Sequence, residues 1–220
     1  MTRLWRDHGL SIVLAGLFVV TMAGQTWSGW RVNNDDRRQH GEPELALTQY
    51  LRSGHFGEAT FENWESEFLQ MTFYVLLTIR LFQKGSSESK RPGVREMVDL
   101  DPRESPKKDD APWPVRRGGV VLWLYERSLS LTFAALFAAS LWLHAVTGLV
   151  HFNGERMEHG DPPAALADYI ASSQFWFESF QNWQSEFLSL AAMVGLSIFL
   201  RQRGSPESKP VDAPTWETHG

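Results

Sequence analysis

A block of 51 residues occurs twice in this chain without a gap. A shift of 119 positions lays residues 40–90 on 159–209, with about 25 of the 51 aligned positions identical. FENWESEFL (61–69) falls on FQNWQSEFL (180–188), and GSSESK (85–90) falls on GSPESK (204–209). Such self-similarity means that one structural unit is built twice, so equivalent stretches must take equivalent structures. The chain reads as two halves of one assembly, and topologies that treat matching segments differently are excluded.

Charge is segregated along each half. Residues 9–30 and 128–150 hold no Asp, Glu, Lys or Arg. Each is long enough to cross a hydrocarbon core of about 30 Å, which takes about 20 helical residues. Arg3 and Arg6 ahead of the first apolar run resemble a secretory leader with a cleavage site near Ala23 and Gly24. The repeat favours retention, because that run matches the internal apolar stretch at 128–150. The second and fourth apolar stretches (68–82 and 187–200) are short, so each needs the polar FENWESE or FQNWQSE turns to reach spanning length. Helices are expected over 60–83 and 179–201, ending near Gly85 and Gly204 as C′ residues. Small residues (Gly16 and Ala23; Ala134, Ala135, Ala138 and Ala139; Ala191 and Gly195) suit close helix packing.

Lys and Arg placement gives an orientation. All five lysines lie in the 84–108 connection or the C-terminal tail, and the two loops between paired spans are net acidic. The positive-inside rule puts both termini in the cytoplasm and both loops outside. The expected fold is an all-α, integral membrane four-helix bundle of two parallel tandem repeats. A pseudo-twofold axis along the membrane normal would relate them. Residues 1–84 form repeat 1, 85–117 a flexible cytoplasmic linker rich in Pro and charge, 118–203 repeat 2, and 204–220 a flexible tail.

The chemistry available is limited. There is no cysteine, so disulfides, thiolate metal sites and cysteine nucleophiles are excluded. A net charge of −5 without a basic aromatic stripe argues against nucleic acid as a partner. No catalytic motif is present, and no cofactor is assigned. The best polar candidates are Asn63 with Glu67 and Asn182 with Glu186, each pair spaced i, i+4 on one helix face. Paired carboxylates near the outer boundary would attract a cation and raise one proton affinity. Headgroup anchoring of the same residues is the simpler role, with Trp64 and Trp183 as interfacial aromatic anchors. Gln25 and His144 occupy matching positions in the first and third spans, where a polar side chain faces a helix interface or cavity. His40 and His159 recur in HG[ED]P, a turn-forming sequence that makes them weak metal candidates.

The strings GWRVN (29–33), HG (40–41), FENWESEFLQ (61–70) and GSSESK resemble a family of uncharacterised bacterial membrane proteins, a domain of unknown function with a duplicated two-span unit. The resemblance implies a multi-pass protein of the bacterial inner membrane and brings no activity with it. Gln181 and Gln184 replace Glu62 and Glu65 in the second half, so any acidic site would be asymmetric.

The expectation is a non-enzymatic membrane protein that passes or senses a small cation or proton. Glu67 and Glu186 form its acidic mouth, with the lipid bilayer as its partner and self-association allowed. The alternatives are a non-transporting scaffold or stress-associated interaction protein, and a membrane metalloenzyme built on the loop histidines.

Overall fold

A computed structural model describes residues 3–104 and 110–218. Pro106, Lys107 and Lys108 of the expected linker lie outside the described residues. Among the described residues the chain forms helices and turns, with no strand. The helices are α1 (Arg3–Gln39), α2 (Leu47–Tyr50), α3 (Gly54–Leu77), α4 (Trp113–Arg117), α5 (Gly119–Glu126), α6 (Ser128–Glu158), α7 (Leu166–Ile170) and α8 (Ser173–Leu196), with one 3-10 turn at Met97–Asp99. The all-α expectation holds. α1 and α6 are long and apolar enough to cross a membrane.

Two helix boundaries differ from expectation in the same way. α3 and α8 each start six residues earlier than 60 and 179. A serine precedes each start: the Ser53 hydroxyl accepts the Phe56 N–H at 3.2 Å, and Ser172 accepts that of Phe175 at 3.3 Å. A serine in this role satisfies an otherwise orphaned N–H and is worth about 0.5–2 kcal/mol. Local capping therefore sets the start, where hydropathy pointed to a later one. Both helices also end early, at Leu77 and Leu196. Gly85 and Gly204 are not C′ residues but lie in the turns beyond, with φ of 89° and 86°. The Arg201 guanidinium donates to the carbonyls of Ser197, Ile198 and Leu200, which closes the end of α8.

The chain divides into two compact units. Met1–Phe61 with Trp142–Phe175 make one, and Glu62–Leu141 with Trp176–Gly220 the other. In the first unit, matching loops make matching bonds. Asn34 exchanges two hydrogen bonds with the Leu45 backbone (2.8 and 2.9 Å), and Asn153 does the same with Ala164 (2.7 and 3.1 Å). Arg37 donates to the Pro43 carbonyl and Arg156 to the Pro162 carbonyl, both at 2.8 Å. Fully buried Tyr50 and Tyr169 set their hydroxyls against Gly29 and Gly148, where a Cβ would come within 2.2 and 2.3 Å.

α3 meets α6 through glycine. A Cβ on Gly54 would stand 2.7 Å from the His151 backbone nitrogen and 2.8 Å from the Thr147 carbonyl oxygen. One on Gly57 would stand 2.5 Å from the Thr147 methyl. The small residues expected to mediate packing at Gly16 and Gly195 instead face open space. Spacing alone marks small residues without saying which of them another backbone reaches.

The second unit contains the GSSESK and GSPESK turns. Ser89 and Ser208 each accept a backbone N–H six residues earlier, from Gln83 and Gln202, at 2.8 and 2.9 Å. The lysines that follow diverge. Lys90 pairs with Asp99 at 2.5 Å, whereas buried Lys209 donates to the carbonyls of Pro214, Thr215 and Glu217.

Burial is inverted relative to a water-soluble domain. Among the described residues, six apolar residues are buried against sixteen polar or charged ones. None of the most apolar stretch of α1 is buried. Each buried polar group must find a hydrogen-bond partner, and that is where the side-chain bonding concentrates.

Gly54→Ala forces a backbone clash and is expected to cost about 1–3 kcal/mol, lowering Tm by roughly 3–10 °C. Gly16→Ala meets open space and leaves Tm unchanged or slightly raised. Thermal unfolding of the two variants in detergent checks both.

Candidate functional site

The first unit holds a buried group of ionisable side chains around Glu58. Glu58 lies one turn into α3, on the face that Gly54 and Gly57 bring against α6. Its side chain is only 12% exposed. The His151 Nδ1 donates to Glu58 Oε2 at 2.5 Å, and the Tyr169 hydroxyl donates to Oε1 at 3.4 Å. His144, fully buried on α6 two turns before His151, has a ring nitrogen within 4.8 Å of a Glu58 oxygen. Phe175 stacks on the His144 ring at 4.9 Å and fixes its plane. The His144 and His151 spacing of seven residues puts both on one face of α6.

A second pair adjoins this centre. The His55 ring meets that of His151 edge to face at 5.3 Å, and its Nδ1 is hydrogen-bonded to the Tyr50 hydroxyl at 3.1 Å. His55 stands in the first turn of α3, ahead of the expected crossing segment. Burial holds its pKa below the usual histidine value, and the neighbouring His151 charge adds to this, while Glu58 and Asp36 oppose it in part. Burial likewise pushes the Tyr50 phenol up.

The sequence-derived candidates take other positions. Asn63 and Glu67 are exposed on α3. Asn182 donates to the Glu178 carbonyl of its own helix at 3.2 Å. Glu186 is half-buried, and its backbone carbonyl accepts the Gln70 amide at 2.7 Å. The acid buried beside them is Glu65, whose Oε1 accepts both the Ser179 hydroxyl at 2.8 Å and the Trp183 indole N–H at 3.1 Å. Trp183 therefore serves as a hydrogen-bond donor. Trp64 is half-buried. Gln25 bridges α1 to α3 through the Ala59 carbonyl and Thr60 hydroxyl, each at 3.4 Å. His40 and His159 are exposed, and each donates to the carbonyl four residues back, Asp36 and Glu155, at 3.1 and 2.8 Å.

Of the proposed set, His144 alone belongs to the Glu58 centre. Glu58, His151 and His55 escape a reading by repetition, because repetition marks only positions that recur. At the matching places stand Phe177, Val32 and Gln174. For Glu58 and His151 the signal lay in the opposite comparison, a polar residue in one half that replaces an apolar one in the other; His55, opposite Gln174, carried no such signal.

With the fold and this centre in view, a family model for a domain of unknown function, DUF6766, matches residues 1–220. The chain belongs to the DUF6766 family. No curated protein and no solved structure matches the chain. DUF6766 membership carries no reaction, so chemistry must be argued from the side chains.

A carboxylate gripped by an imidazole and a phenol can store, release or relay one proton, and can bind a small cation when the imidazole turns away. Because the His55 pKa is lowered on folding, the unfolded chain binds more protons below about pH 6.5. The stability tied to neutral His55 is complete above that pH and is lost as pH falls toward the folded-state value. Thermal unfolding at pH 7.5 and 5.0 should therefore show the wild type losing more Tm on acidification than His55→Gln.

Proposed function

We propose that this protein passes or senses a proton or small cation across a bilayer, with the Glu58–His151 pair as its acid–base centre. The observation that carries this reading is the 2.5 Å contact between a buried carboxylate and an imidazole in a protein whose apolar side chains face outward. An ionisable group buried away from water is costly, and a carboxylate paired with a basic side chain is the form in which membranes tolerate it. His144 and Tyr169 extend the same centre along α6 and from α7.

The reading includes a bacterial inner-membrane protein with four spans, built on α1, α3, α6 and α8, and a pseudo-twofold relation between the halves. Both termini are placed in the cytoplasm, from the distribution of lysines. The apolar, unburied surface of α1 supports lipid contact. α3 and α8, at 24 residues each, reach about 36 Å. In this orientation Glu58, one turn into α3, is nearer the outer end of that helix than Asn63 and Glu67. The acid–base step therefore comes first, and the Asn63–Glu67 and Asn182–Glu186 faces supply cation-attracting charge farther along α3 and α8.

Flux of protons and monovalent cations into proteoliposomes tests this. Wild type is expected to exceed empty liposomes. Glu58→Gln should remove at least nine-tenths of the excess, roughly the loss of one catalytic proton acceptor. The Glu67→Gln/Glu186→Gln double variant should reduce it only a few-fold, as loss of electrostatic steering does. No wild-type flux under any gradient would sink the transport reading and leave the scaffold reading in its place.

A further inference from the structure

The second unit contains two clefts that meet at Glu88. One, of about 370 Å³, is walled by Leu77, Phe82, Phe187, Leu190 and Val194. The other, of about 580 Å³, is walled by Lys90, Glu96, Asp99 and Glu126. Tyr74, Thr78, Glu88 and Ser89 line both. Each volume falls in the range of about 300–1,000 Å³ typical of small-molecule sites. Together they set an open apolar cleft beside an acidic one, with Glu88 in the wall of both.

The acids of the larger cleft are not equivalent. Asp99 is paired with Lys90 at 2.5 Å, and Glu126 with Arg103 at 3.1 Å and Arg127 at 3.3 Å. Glu96 accepts the Arg91 N–H at 2.9 Å. Among the described residues Glu88, like Glu96, has no basic side chain paired with it, but it alone is held by hydroxyls. Its Oε2 accepts the Tyr74 hydroxyl at 2.5 Å and its Oε1 the Ser87 hydroxyl at 3.2 Å. Among the described residues no basic side chain lies within ion-pair distance of it. Hydroxyls orient a half-buried carboxylate without neutralising it, so the junction of the two clefts carries uncompensated negative charge.

We infer that the joined clefts bind a single-chain amphiphile with an ammonium head group, its chain in the apolar cleft and its cation at Glu88. Charge complementarity selects this occupant. A sulfate or carboxylate head would meet Glu88 with the nearest lysine already committed to Asp99. A two-chain phospholipid would bring its phosphate to the same carboxylate. A small cation would leave the aromatic and aliphatic walls uncovered. The site belongs to one half only, because Met193 stands where the matching position would need Tyr74. It is independent of the Glu58 centre and stands whether or not the protein transports.

The test is calorimetric titration of the full chain in nonionic detergent with dodecyltrimethylammonium, dodecyl sulfate and tetramethylammonium. The expected result is one saturable site for the cationic amphiphile. Glu88→Gln should weaken it about tenfold or more, the usual loss for a charge-assisted contact. Ala191→Trp, which fills the apolar cleft, should abolish it. Circular dichroism and gel filtration establish that each variant is folded, and if Ala191→Trp is not, Glu88→Gln alone decides. Equal binding of dodecyl sulfate, an unchanged affinity in Glu88→Gln, or equal affinity for tetramethylammonium would each overturn the assignment.

Discussion

The backbone of α3 can lie against α6 only because residues 54 and 57 are glycine. A methyl group at either position would occupy space held by the backbone of residues 147 and 151 or by the Thr147 side chain. This approach places Glu58, one residue beyond the second glycine, within a hydrogen bond of His151. The Tyr169 hydroxyl reaches the same carboxylate because Gly148 leaves room for it. Three glycines thus hold one ionisable centre in register. None of them is there for flexibility, since each absence of a side chain is filled by another group. Backbone proximity of this kind is worth more than a polar contact on the surface, because it fixes geometry that thermal motion would otherwise blur.

Polarity follows from the same packing. Helices that approach closely leave little space between them, and the side chains filling it here are mostly Ser, Thr, Gln, Glu and His. Glu65 receiving a hydroxyl and an indole N–H, and Gln70 reaching the Glu186 carbonyl and the Ser189 hydroxyl, show how such an interior is satisfied. Every acceptor met by a donor lowers the cost of taking that group out of water. Most of the Leu, Val and Phe side chains are left on the outside, as a hydrocarbon surrounding would favour. The acidic cleft at Glu88 lies outside this scheme, since its carboxylate has orienting hydroxyls but no opposing charge.

Much of the local structure was legible from the residues. The apolar stretches at 9–30 and 128–150 became α1 and α6, and the matching loops closed with matching Asn and Arg bonds. Helix starts were displaced because Ser53 and Ser172 cap at close range, a signal that hydropathy windows average away. The candidate site was legible only in its residue types. An i, i+4 pair such as Asn63 and Glu67 establishes that two side chains share a face, and says nothing of which face turns inward. The inward face carries Glu58 and Glu65, separated by seven residues, and leaves Glu67 exposed. His151 does not recur, since Val32 stands in its place, so only a search for differences between the halves would mark it.

The sequence by itself determined the helical class, the duplicated loops and the absence of thiol chemistry, because periodicity, repetition and composition are properties of the chain. Only the tertiary structure decided which carboxylates are buried and what they touch. Contacts such as His151 with Glu58, 93 positions apart, depend on where two helices can approach. That is fixed by the one or two positions at which a backbone meets another without an intervening Cβ, and no pattern read along a single helix specifies it.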